Sequence, residues 1–142
     1  MVRIDRDKNV AVIEIQGKTA ITTIHEIVEA LLSDPDHIDG MDEVWDFRNA
    51  SLANFTVEDL ISLAQFQSQY LDRLGRRAAL VVGRDLEYGI GQMWSAFAEE
   101  HAPRERRLFR DIDEAFAWLA PIAIIEELQK PKPLHWNSPQ AT

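Results

Sequence analysis

Ala78-Ala79-Leu80-Val81-Val82 is an unbroken apolar run of strand length, and beyond it Ile90, Met93, Trp94 and Phe97 recur at i, i+3, i+4 and i+7. A short, wholly apolar run suits a strand buried on both faces, and the later spacing suits one face of a helix, which Asp85 can cap. The same strand-then-helix unit is legible on either side. Upstream, Val44-Trp45-Asp46-Phe47 reads as a second buried strand. Thr56 then caps a helix with Leu60, Leu63, Ala64, Leu71 and Leu74 inward and Gly75 placed to end it. Downstream, Leu108-Phe109 marks a short strand, and Asp111-x-x-Glu114 opens a helix carrying Ile112, Ala115, Phe116 and Leu119 until Pro121.

At the N-terminal side, Val2 and Ile4, the polar Arg6-Asp7-Lys8-Asn9, and Val10 to Ile15 predict a hairpin whose second strand ends at Gly17. Ile24, Ile27, Val28 and Leu31 follow at helical spacing, with Thr23-x-x-Glu26 as a capping box and Pro35 forbidding continuation past about Ser33. The expected order is ββαβαβαβα. Alternating strands and helices imply right-handed crossovers, hence an α/β fold with a mixed, mostly parallel sheet to which the hairpin adds one antiparallel pair. Residues 1–120 are expected to form this domain. Residues 121–142 are read as an extension: a short helix with Ile122, Ile125 and Leu128, then a proline-rich tail containing Trp136.

The chain of 142 residues is 46% hydrophobic and 27% charged, which is the make-up of one ordinary globular domain. Its net charge of −9 would repel a phosphate backbone, so nucleic acid is not an expected partner. Met1–Asp5 lacks a signal-peptide pattern, no apolar run approaches the roughly 18 residues of a membrane span, and there is no cysteine. A cytoplasmic setting is therefore expected. Arg73, Arg76 and Arg77 form one basic group, and Arg104, Arg106, Arg107 and Arg110 another; both read as solvated strand ends paired with nearby acids, the alternative being one anion-binding or partner-docking patch should their strands be neighbours.

Val44 to Ser51, Ala78 to Val82, Tyr88-Gly89, and Leu108 to Asp111 with Glu114 to Leu119 together resemble the SpoIIAA-like branch of the STAS superfamily. The resemblance implies a mixed sheet packed with helices, a non-catalytic role, and a fold related to lipid-carrier domains. STAS anti-sigma antagonists are switched by a serine in an Asp-Ser-Ser-Gly-like turn, and the matching region here runs from Asp46 to Ser51. Ser51 is thus the regulatory candidate, with Asp46 and Arg48 beside it, although the paired serines and the glycine are absent. Phosphorylation there would add nearly two charges that a helix start could stabilise.

Other constellations carry little chemistry. His25, His37, His101 and His135 are scattered, so no metal site is expected, and Asp34, Asp36, Asp39 and Gly40 depart from a calcium loop and read as an acidic turn. No nucleophile motif or cofactor cradle occurs, and Gly89-Ile90-Gly91 reads as a close-packing element. Asp46, inside an apolar strand, must be paired; Arg48 two residues on, or backbone amides, can satisfy it, and a structural acceptor is the preferred reading over a general base. Tyr88, Met93, Trp94 and Phe97 exceed one narrow core stripe. They are the expected lining for a small apolar or lipid-like ligand between the second and third helices of a non-enzymatic module. The alternative is a protein-interaction module or homodimer that uses this helix or the extension.

Overall fold

The computed structural model describes residues 1–119. β1 (Val2–Asp5) and β2 (Val10–Lys18) form the expected antiparallel hairpin, and Asn9 closes its turn at φ 55°, a left-handed conformation that asparagine tolerates better than most residues. β3 (Asp42–Ser51), β4 (Arg77–Val82) and β5 (Glu105–Phe109) then add in parallel, so strand order follows chain order. When a sheet grows one strand at a time in one direction, right-handed crossovers stack every connecting helix on the same face. Accordingly, α1 (Ile21–Ser33), α2 (Val57–Ser68) and α3 (Asp85–His101) share one core, in which Ile24, Leu63 and Trp94 pack over Ile13, Trp45 and Leu80. α4 (Ile112–Trp118) covers the other face, where Ala115 meets Val12, Val44 and Val81. The class and element order agree with the sequence reading. The segment from Ile122 to Leu128 and Trp136 lie outside the described residues.

Several boundaries differ for local reasons. β3 runs four residues past Phe47 because the backbone of Gln16, Gly17 and Lys18 pairs with Asn49, Ala50 and Ser51, a ladder that needs no apolar side chains. β5 starts at Glu105, and its charges suit an edge strand. α1 begins at Ile21 after Ala20, which puts Thr23 and Glu26 inside the helix, and their capping box does not form. At α2 the box is present: Thr56 accepts from Asp59 N, and the Asp59 carboxylate accepts from Thr56 N. That helix stops at Ser68, whose hydroxyl donates back to the Gln65 carbonyl; turns then carry the chain to Leu74, leaving Leu71 exposed. Arg84, not Asp85, is the N-cap of α3.

Candidate functional site: an apolar pocket under two helices

Side chains in a strand alternate between faces, so Glu43, Trp45 and Phe47 point toward α2 and α3 while Asp46 points toward α4. Between these helices and the sheet lies a cavity of about 50 Å³. Trp45, Phe47, Leu80 and Val82 form its floor, Leu60 and Leu63 of α2 one wall, and Trp94 of α3 another. Two small residues also lie on it, Ala78 in the floor and Gly91 in the wall. Gly91 also brings α3 hard against β5, since a Cβ there would come 2.5 Å from Leu108 Cδ2.

The strand-start end of this apolar space is charged. Glu43 is fully buried; its Oε1 accepts from the Trp45 indole at 2.9 Å and pairs with Arg104 at 3.1 Å, and its Oε2 accepts from Gly75 N at 2.6 Å. Burial pushes the Glu43 carboxyl up. The charge and hydrogen bond of Arg104, the indole and the Gly75 amide outweigh that and hold it below the usual carboxylate range. Arg104 also donates to the Gly75 carbonyl at 3.0 Å.

Arg106 has no such acid. Its one hydrogen bond is donated to the Ala102 carbonyl, its guanidinium lies 5.5 Å from the Trp94 ring centroid, and its buried Nε and Nη1 find no partner among the described residues. Burial, and then the charge of Arg104, pull the guanidinium down to about 10, with Glu99 and Glu43 opposing. Arg104 Nε and the Gln67 amide oxygen are likewise buried without partners among the described residues. Arg104, Arg106 and Gln67 all line the cavity.

Of Tyr88, Met93, Trp94 and Phe97, the four residues expected as ligand lining, Trp94 alone lines this space. Tyr88 and Phe97 are half-buried against the same core, and Met93 is 43% exposed. The inward stripe of the helix is Glu87, Gly91, Trp94 and Ala98. It is rotated from the expected one because glycine and alanine, not the large residues, occupy the closest approach. Glu87 itself is 1% exposed, bridging Arg84 to the Leu52 amide.

Asp46 and Arg48 sit on the sheet's other side. Arg48 donates Nε and Nη2 to the two Asp46 oxygens, each at 2.9 Å, and its backbone N donates to Oδ1 at 3.1 Å. Burial raises the Asp46 carboxyl, and these hydrogen bonds outweigh it and hold it low. β3 carries one extra residue here relative to β2, between Asp46 and Asn49, which lets Arg48 fold back. Ser51 ends β3 with its Oγ accepting from Ala53 N at 3.3 Å, and α2 begins only at Val57. The expected juxtaposition of Ser51 with a helix start is therefore not made.

Arg73, Arg77 and Arg110 pair with Asp39, Asp42 and Asp85, as strand-end arginines were expected to do. Arg104 and Arg106 turn inward instead. The signal available in the sequence was the alternation Arg104, Arg106, Leu108, which places both cations on the face of a core leucine. Among the described residues no three His, Asp or Glu side chains gather as metal ligands, and no helix is long and apolar enough to cross a membrane.

Among the described residues, a five-stranded, mostly parallel sheet with three helices on one face and a fourth on the other defines an α/β domain with an apolar pocket as its candidate site. The fold is SpoIIAA-like: a DUF3478-family protein from Shewanella loihica PV-4, described as uncharacterised and with a SpoIIAA-like fold, superposes with a TM-score of 0.51 at 17% identity, covering 84% of this chain and 91% of that one. No protein-family model and no curated protein matches the chain.

Proposed function

We propose that this chain is a non-enzymatic binding module that takes a small apolar or amphipathic molecule into the cavity between α2, α3 and the sheet. The observation that carries this reading is a partly open space with tryptophan, phenylalanine and leucine walls. A water molecule needs about 10–15 Å³ measured this way, so about 50 Å³ suits a short chain or a single ring rather than a long lipid tail. Titration with hexanol, followed by the fluorescence of the lining tryptophans, tests it. A saturable change that Ala78→Leu weakens is expected, because the side chain at 78 lies in the cavity floor; no saturable change, or equal binding by the variant, would refute the reading.

A second reading rests on Leu86 and Met93, one heptad apart on α3 and 51% and 43% exposed. It makes α3 a self-association face. Sedimentation velocity of the protein and of Met93→Glu checks it: a dimer lost in the variant supports the contact, and a monomeric parent removes it.

A further inference from the structure

We infer that the pocket's ligand is an uncharged molecule built on one aromatic ring, and that charged headgroups are turned away. This rests on the binding reading above and adds the chemical class of the ligand. The rings of the lining come first. Trp45, Phe47, Phe55 and Trp94 all border the space. In the floor, Trp45 and Phe47 lie nearly parallel, 13° apart with centroids separated by 6.2 Å, and the Trp45 indole is anchored by its hydrogen bond to Glu43. Phe55 and Trp94 have no ring partner among the described residues, although each lines the cavity. An offset or edge-on ring partner stabilises an aromatic side chain beyond the area it buries, and a ligand ring supplies that where a saturated chain does not. About 50 Å³ is the room of a few water molecules, which admits one ring and not two.

The polar border argues against charge. Of the six guanidinium nitrogens of Arg104 and Arg106, five are out of a ligand's reach. Arg104 Nε and Arg106 Nε and Nη1 have almost no accessible surface, Arg104 Nη1 is engaged by Glu43 and the Gly75 carbonyl, and Arg106 Nη2 by the Ala102 carbonyl. The Gln67 amide oxygen is sealed in the same way, and the Glu43 oxygens are taken by Trp45, Arg104 and Gly75. A carboxylate entering the space therefore gives up hydration without gaining a paired donor. An ammonium finds these side-chain acceptors used or sealed, and the Trp94 ring already holds a cation, Arg106, 5.5 Å from its centroid.

The experiment measures benzene and cyclohexane by headspace depletion over the whole chain, each affinity divided by that compound's own partition from water into hexadecane. Benzene is expected to come out at least about threefold ahead of cyclohexane. Phe47→Leu, which removes one floor ring and stays apolar, should bring that ratio below about twofold. The comparison on the parent stands even if the variant fails to fold. Benzoate and benzylammonium, added as competitors, should each need at least about tenfold more than toluene to displace benzene. Equal relative binding of the two hydrocarbons, or a ratio unchanged in a folded variant, overturns the ring assignment. Benzoate or benzylammonium displacing as readily as toluene overturns the exclusion of charge. All of these leave the cavity reading intact. Hexanol bound with neither hydrocarbon bound also overturns this proposal alone, whereas no binding by any of the three overturns both readings.

Discussion

Arg106→Met is expected to make the ligand-free protein more stable, although it deletes a buried charge together with its contacts. The drop of the guanidinium from an arginine's ordinary value to about 10 corresponds to roughly 3 kcal/mol of unfavourable environment for the charged form. The cation stays charged near neutral pH, so this is a destabilisation of the fold rather than a change in ionisation. Against it stand the contact with the Trp94 ring, about 1 kcal/mol at a partly buried site, and the hydrogen bond to the Ala102 carbonyl, about 1 kcal/mol net. Methionine keeps much of the volume and can still lie against the indole. The balance is a gain of about 1 kcal/mol, or about 4 °C in Tm for a domain of this size. Urea unfolding of parent and variant, monitored by circular dichroism, measures it. A loss of more than about 1 kcal/mol would refute the reasoning, because it would mean that Arg106 is satisfied in the free protein.

Glu43→Gln is expected to destabilise by about 3 kcal/mol at neutral pH, since it leaves Arg104 and Arg106 buried together with no acid between them. The folded Glu43 carboxyl lies below its ordinary value of 4.5, so its contribution is present above that pH and lost as the unfolded chain takes up the proton first; stability measured from pH 6 down to 3 should fall less steeply in the variant. Arg48→Ala should cost about 2 kcal/mol in chemical denaturation, because it strands the 7%-exposed Asp46 carboxylate, whereas Asp46→Ala should cost about 1 kcal/mol, because it returns a 40%-exposed arginine to water. Equal losses would contradict that asymmetry. Gly91→Ala gains about 1 kcal/mol of helix propensity and spends a similar amount displacing Leu108, so thermal unfolding should find its Tm within about 4 °C of the parent.

The alternation of apolar strands with helical stripes was enough to order nine elements, because period two and period 3.6 are local properties of the chain. Thr56 and Asp111 were legible as caps for the same reason: the oxygen and the amide that it satisfies lie within three residues. Asp46 with Arg48 was legible because a strand returns to the same face after two residues. Met93 was misplaced because amphipathic spacing cannot tell which side of a broad stripe faces inward. That depended on Gly91 meeting Leu108, seventeen residues away.

The sequence by itself determined the class, the element order and the local caps and pairs, since each depends on neighbours within one turn or one pleat. Only the tertiary structure decided where the candidate site lies. Arg104 and Arg106 are cations like any others until β5 docks beside β4 and sets them under Trp94, next to a glutamate from β3. Their burial and the cavity itself arise from elements dozens of residues apart, and long-range packing of that kind leaves no periodic trace in the chain.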